Sequence, residues 1–148
     1  MLSWLPHRPH LRCACSCISC LLPAEYYVDY RWFLERQAEL LDDLAVNEYS
    51  VFVGLASRHK VDPPRHDQHH PDAFWRAAVM LEECVLLHPL PTRNELYGHG
   101  LVVAYLGMHG EQVNTKFEVW RELINDIRGL RLDSYGIAER LRDLGTDT

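Results

Sequence analysis

The sequence predicts an all-α fold: a bundle of about six helices behind a poorly ordered N-terminal extension. Three observations predict it. Apolar residues recur at helical spacing through most of the chain beyond Asp29. Capping residues and glycines punctuate that pattern at helix-length intervals. Two apolar runs, Asp72 to Leu87 and Asn94 to His109, flank His88-Pro89-Leu90-Pro91-Thr92-Arg93, whose two prolines stop the first run and force an extended turn.

The totals agree with one globular domain. The chain has 148 residues, 47% of them hydrophobic and 24% charged, with a formal net charge of -6. This acidic balance, with no basic stripe, argues against nucleic acid as a partner. No apolar run is long enough to span a bilayer, so no membrane partner is expected. Composition divides the chain into a Cys-rich extension, residues 1–24, and a helical domain, residues 25–148. Four of the five cysteines, Cys13, Cys15, Cys17 and Cys20, lie in that extension. A disulfide framework would spread them through the domain, so the pattern predicts a reducing, cytoplasmic location. With His7 and His10 the cluster offers soft metal ligands, but the Cys-x-Cys spacing is tight and lacks a second Cys-x-x-Cys knuckle. A signal peptide is the other alternative, with an apolar stretch too short and too thiol-rich. A disordered extension is the favoured reading, and no metal site is expected.

The elements follow in order. Asp29 is a plausible N-cap for a helix carrying Trp32, Phe33, Leu40, Leu41 and Leu44. Asn47 can cap a second helix packed through Tyr49, Val51, Phe52, Val53 and Leu55; the β-branched content of Tyr49 to Val53 leaves a short strand as the alternative. Arg58-His59-Lys60 suits a helix C-terminus. Val61 to His70 reads as a loop. His66, Asp67, His69 and His70 there suggest a metal cluster, but a solvated loop is preferred because nothing fixes their spacing.

Pro71 fits the first turn of the next helix. Ala73, Phe74, Ala77, Ala78, Met80, Leu81, Cys84, Val85 and Leu87 cover most of its circumference, which makes it central and makes Cys84 a small buried hydrophobe. After the turn, Thr92-Arg93-Asn94-Glu95 matches a capping box with Thr92 at the N-cap. In the helix that follows, Gly98, Gly100 and Gly107 weaken intrinsic propensity in exchange for close helix–helix approach, and Gly110 suits a left-handed C-cap. Asn114 or Thr115 opens a fifth helix, with Phe117, Val119, Trp120, Leu123, Ile124 and Ile127 inward and Gly129 ending it. Asp133 or Ser134 caps a sixth, stopped by Gly145.

Chemistry concentrates at the turn. His88 is a candidate general base at the end of the central helix. Backbone N–H groups near Thr92 to Glu95 open from a helix N-terminus, a ready site for phosphate. A base facing a phosphate cradle suits transfer of a phosphate-bearing group to a hydroxyl.

The segments Ala77-Ala78-Val79-Met80-Leu81, His88-Pro89-Leu90-Pro91-Thr92-Arg93-Asn94, Val102-Val103-Ala104-Tyr105-Leu106 and Gly110 resemble the core of the Fic/Doc (Fido) family. That family carries an HPFx(D/E)GN(K/G)R-type loop between two buried helices. The resemblance runs from Asp29 to Leu144. The upstream part is similar to the small Doc-type toxins, with Asn47 to Val61 as a helix entering a variable loop. It implies a Fic/Doc-like helical bundle and the toxin component of a bacterial toxin–antitoxin system. Such a protein transfers a phosphoryl or nucleotidyl (AMP) group from ATP or another nucleoside triphosphate to a hydroxyl on a protein substrate. An antitoxin protein is the implied partner.

Within that resemblance His88 matches the general base and Asn94 the residue that helps hold the nucleotide phosphates. Pro89 matches, and Leu90 replaces a buried Phe. Thr92 stands where an acidic Mg²⁺ ligand is expected, and a neutral hydroxyl is a poor substitute at a hard cation. Arg93 stands at a small residue, which implies either that its side chain fills the anion pocket or that its charge partly substitutes for the metal. Glu95 replaces Lys or Gly, and Leu96 replaces the arginine that grips the terminal phosphates. Candidate cofactor-binding residues are thus Asn94, Arg93 and Thr92, with Mg²⁺ left without its acidic ligand. The same departures imply the alternative of a catalytically impaired Fic-like protein that acts by binding its antitoxin.

Overall fold

The computed structural model describes residues 28–60 and 72–145. They form six helices: α1 (Tyr30–Leu41), α2 (Tyr49–Lys60), α3 (Ala73–Leu87), α4 (Asn94–Met108), α5 (Phe117–Arg128) and α6 (Ser134–Asp143). Among the described residues the only β pairing is an isolated bridge, Val113 to Gly145. The all-α expectation holds there. The Cys-rich extension, its proposed metal or signal roles, the His66–His70 cluster and Pro71 lie outside the described residues.

Local chemistry sets three of the six helix starts. Asp29 caps α1, its Oδ1 accepting from the Arg31 and Trp32 amides at 2.9 and 3.1 Å. Asp72 caps α3 through the Trp75 amide at 2.8 Å, and Asp133 caps α6 through Gly136 at 2.8 Å. Each such cap contributes about 1 kcal/mol. α4 ends as expected: Gly110 is left-handed (φ 77°), with Glu111 N–H donating to the Leu106 carbonyl at 2.9 Å and Gly110 N–H to that of Gly107 at 3.2 Å.

Tyr49 to Val53 is helical, as the favoured reading has it, and the strand alternative falls, because Val51, Phe52 and Leu55 recur on one buried face. Other boundaries differ from the sequence reading. Asn47 does not cap α2; its amide and that of Glu48 both donate to the Pro89 carbonyl, at 2.9 and 3.1 Å. The Thr92 capping box does not form. The Arg93 carbonyl accepts the first bond of α4 from Tyr97, and the Glu95 carboxylate turns to Arg128 instead of back toward Thr92. Asn114 makes a turn onto the Lys116 amide, so α5 starts at Phe117. Gly129 (φ -78°) closes α5, but Leu130 takes the left-handed position (φ 54°). α6 stops before Gly145, with Leu144 as its cap.

α3 and α4 form a central antiparallel hairpin. α3 packs on α2, α4, α5 and α6; α4 packs on α1, α3 and α5. Gly98 permits the close approach, since a Cβ there would lie 3.1 Å from Cys84 Cβ and 3.2 Å from a Leu81 methyl. Gly100 faces the Leu40 side chain of α1, whereas Gly107 faces open space. Between α1, α2 and α4, Phe33 stacks on Phe52 at 5.7 Å, Phe52 meets Tyr97 edge-on at 6.0 Å, and the Tyr97 hydroxyl donates to the Phe33 carbonyl at 2.7 Å. Burying each such ring contributes roughly 1.5–3 kcal/mol. Cys84 is fully buried and burial pushes its thiol pKa up, so it serves as packing rather than as a nucleophile. No helix among the described residues is long and apolar enough to cross a membrane.

Candidate functional site

The α3–α4 turn carries the candidate site. α3 runs out at Leu87, and His88 follows with a left-handed backbone (φ 47°, ψ 61°). That conformation costs a non-glycine residue about 1–2 kcal/mol, and it turns the chain abruptly into the two prolines. Pro89 and Leu90 are buried while His88, Pro91, Thr92 and Arg93 are exposed. Arg93 is also left-handed (φ 61°, ψ 27°) and leads straight into α4. Two non-glycine residues with positive φ therefore bracket one six-residue turn.

Asn94 holds the turn closed. Its side chain is buried, with Oδ1 accepting from the Leu90 amide at 2.8 Å and Nδ2 donating to the Leu90 carbonyl at 2.9 Å. The amide thus satisfies both backbone groups of a buried residue that no helix can pair. The Pro89 carbonyl, accepting from Asn47 and Glu48, ties the same turn to the start of α2.

An open concavity of about 420 Å³ lies against the turn, lined by His88, Arg93, Asn94, Glu95, Leu96 and Phe117. It collects the first turn of α4, whose N-cap supplies no side-chain hydrogen bond. The backbone N–H groups there leave the positive end of the helix dipole open to an acceptor. His88, Arg93 and Asn94 come together at this concavity, and Thr92 is not among the residues that line it.

The charges around it are partly engaged within the protein. The Arg93 guanidinium reaches away to the Leu41 carbonyl at 3.3 Å and Asp43 at 3.7 Å. Its positive charge thus serves the α1–α2 loop, where the sequence reading puts it in an anion pocket. Glu95, in the first turn of α4, pairs with Arg128 from the end of α5. Comparisons with protein-family models, with curated proteins and with solved structures give no match.

Arg128 and Phe117 were not visible as site residues in the sequence, because both reach the turn only through the packing of α5 on α4. Behind Phe117 lies His99 of α4, 9% exposed, held edge-on to Phe117 at 5.5 Å and to Trp120 at 4.6 Å. Its Nε2 is buried without a hydrogen-bond partner. Burial lowers its pKa, against smaller opposing effects of Glu118 and a bond to the Thr115 backbone.

Proposed function

We propose that the chain is a Fic/Doc-like toxin component that transfers a phosphoryl or nucleotidyl group from a nucleoside triphosphate to a protein hydroxyl. The observation that carries the reading is the shared concavity: exposed His88 and the uncapped start of α4 open onto the same space. Left-handed Arg93 adds support, since it occupies the position where the resembling family has a small residue, Gly or Ala, and of these glycine takes that backbone without strain. Strain of this kind is kept where surrounding structure enforces it, most often at functional turns.

In this reading the His88 imidazole accepts the proton of the target hydroxyl as its oxygen bonds to phosphorus. The bond to the leaving phosphate oxygen breaks, releasing pyrophosphate in nucleotidyl transfer or a nucleoside diphosphate in phosphoryl transfer. The α4 N–H groups face the negative charge of the phosphates. The donor set for Mg²⁺ does not fit: Thr92 brings a hydroxyl where a carboxylate is wanted, and Glu95 is committed to Arg128. Incubating the protein with labelled ATP, other labelled nucleotides and a cell lysate tests the reading. Label on a lysate protein, lost in His88→Ala, is the expected result; no label, or label that survives the substitution, rejects it.

A second reading, a catalytically impaired protein acting through antitoxin binding, is favoured by how the turn's polar groups are used. Asn94 serves Leu90, Arg93 serves Leu41 and Asp43, and Arg128 holds Glu95. Calorimetry with ATP and Mg²⁺ separates the two. Binding that is lost in Asn94→Ala, with the fold kept, favours the transferase.

A further inference from the structure

The far end of the bundle holds a polar cluster that the proposed transfer does not use. Three elements meet there: the last turn of α2 (His59), the first turn of α3 (Arg76) and the last turn of α4 (Tyr105). His59 Nε2 lies 2.9 Å from the Tyr105 hydroxyl, and the Arg76 charge acts on both groups. The Tyr105 ring is buried and boxed by the His59 ring at 5.6 Å, the His109 ring at 4.6 Å and the Trp32 edge at 6.3 Å.

The charges set the direction of this contact. The positive charge of Arg76 favours a Tyr105 hydroxyl whose oxygen faces it and whose hydrogen points to His59 Nε2. A ring nitrogen that accepts this hydrogen is the unprotonated nitrogen of a neutral ring. The groups facing His59 oppose any added positive charge. Lys60 flanks it on α2, Arg76 faces it from α3, and His109 faces it from the cap of α4, while its other neighbour Arg58 is paired with Glu83. The nearby carboxylate, Asp72, is held by Arg142 and by the Trp75 amide. Trp32 of α1 brings no charge.

We propose that His59, Tyr105 and Arg76 form a proton-gated latch: the neutral imidazole holds the last turn of α2 onto α3 and α4, and its protonation releases that turn. A protonated ring presents a second donor to the hydroxyl, leaves the hydroxyl hydrogen without its acceptor, and places a cation beside Arg76. α2 is tied at its other end to the Pro89 carbonyl through Asn47 and Glu48. The latch and the His88 turn are therefore polar attachments at opposite ends of one helix, the latch lying beside the Arg58–Glu83 ion pair to α3.

Burial, with Arg76, His109 and Lys60, lowers the His59 pKa to about 4. The closed latch excludes the proton, so it is fully favoured above the ordinary imidazole range. It loses about tenfold in its opening equilibrium per pH unit as pH falls from roughly 6.5 toward the lowered value.

Amide hydrogen exchange on the full chain, corrected for intrinsic rates, tests this at pH 6.5 and 4.5. The expected result is that amides of Leu55 to Lys60 gain at least about tenfold in exchange relative to those of α6. His59→Phe, which keeps a ring but cannot titrate, abolishes the gain. Equal acceleration of α2 and α6, or a gain that persists in His59→Phe, overturns the proposal. Where that variant does not fold, nitrogen-15 titration of wild-type His59 decides. An Nε2 that stays unprotonated well below the ordinary range supports the latch, and a ring that titrates near 6.5 while Leu55 to Lys60 stay protected overturns it.

Discussion

The Asn94 side chain grips the backbone of Leu90 at both its N–H and its C=O, at 2.8 and 2.9 Å, with all of these groups buried. A carboxamide is the one short side chain that offers a donor and an acceptor side by side. Asn94→Ala leaves both Leu90 groups unpaired, at about 1–3 kcal/mol each, and is expected to lower stability by roughly 2–4 kcal/mol. Asn94→Asp keeps the acceptor but sets a carboxylate against the Leu90 carbonyl, so it is expected to be no better. Urea unfolding of the three proteins checks this. An alanine variant within 0.5 kcal/mol of wild type, a margin typical of surface substitutions, would show that the turn does not depend on the clasp.

Leu130 is a stability defect that the chain could shed. It is left-handed at φ 54° and 75% exposed, so its side chain gives little packing in return for the strain. It closes α5 through its own N–H to the Ile127 carbonyl and that of Arg131 to Asp126, both at 2.9 Å. Leu130→Gly relieves about 1–2 kcal/mol of backbone strain and gives back part of it as unfolded-chain entropy. The expected net gain is about 0.5–1 kcal/mol, read as a higher thermal midpoint. An unchanged or lower midpoint refutes it.

The three glycines of α4 separate by what a side chain would meet. Gly107 has nothing within reach, so Gly107→Ala is expected to stabilise by about 0.5–1 kcal/mol through helix propensity alone. Gly98 sits 3.1 Å from Cys84 Cβ by the ideal position of a Cβ, an atom fixed by the α3 backbone. Gly98→Val is expected to cost about 2–3 kcal/mol by forcing α3 and α4 apart. Opposite signs in one denaturation series are the outcome to look for; a stabilising Gly98→Val removes the close-approach argument.

How far the sequence reveals this molecule depends on the range of the interaction. Asp29, Asp72 and Asp133 cap helices through amides two or three residues away, so their roles could be read locally. The apolar residues covering most of α3 likewise announce its central place. Thr92 and Glu95 have the right spacing for a capping box, yet Glu95 goes to Arg128 and Arg93 starts the helix. Arg93 points to Leu41 and Asp43, and Asn47 to Pro89. None of these partners lies within a helix turn in sequence. The turn could be singled out from its prolines and histidine, but the pairing of its charges was set by α5 and the α1–α2 loop.

Buried His99 should make the α4–α5 contact acid-sensitive. Burial lowers its pKa in the folded state relative to the unfolded chain. The folded form therefore binds the proton less well, and its contribution is fully present above the ordinary imidazole range and lost as pH falls below it. The urea midpoint is expected to drop between pH 7.5 and 5, and His99→Leu to drop less over the same interval. Identical pH profiles for the two proteins would place the acid sensitivity elsewhere.

Glu95 stands against anion binding at the proposed phosphate site. Its carboxylate lines the concavity in the first turn of α4, where the helix dipole already favours negative charge. Arg128 neutralises it from α5. A triphosphate arriving at the α4 N–H groups meets an anion already in place and a cation already occupied. Glu95→Gln removes the charge, keeps the side-chain length and frees Arg128 for the ligand. At separations of several ångströms near a protein surface, one unit charge against a triphosphate is worth about 1 kcal/mol, so ATP affinity is expected to rise about three- to tenfold. Arg128→Ala leaves Glu95 unneutralised and is expected to weaken binding. Calorimetry at two salt concentrations reads both, with the Glu95→Gln gain shrinking at the higher salt. Equal affinity in wild type, Glu95→Gln and Arg128→Ala would mean that phosphate does not approach this helix end.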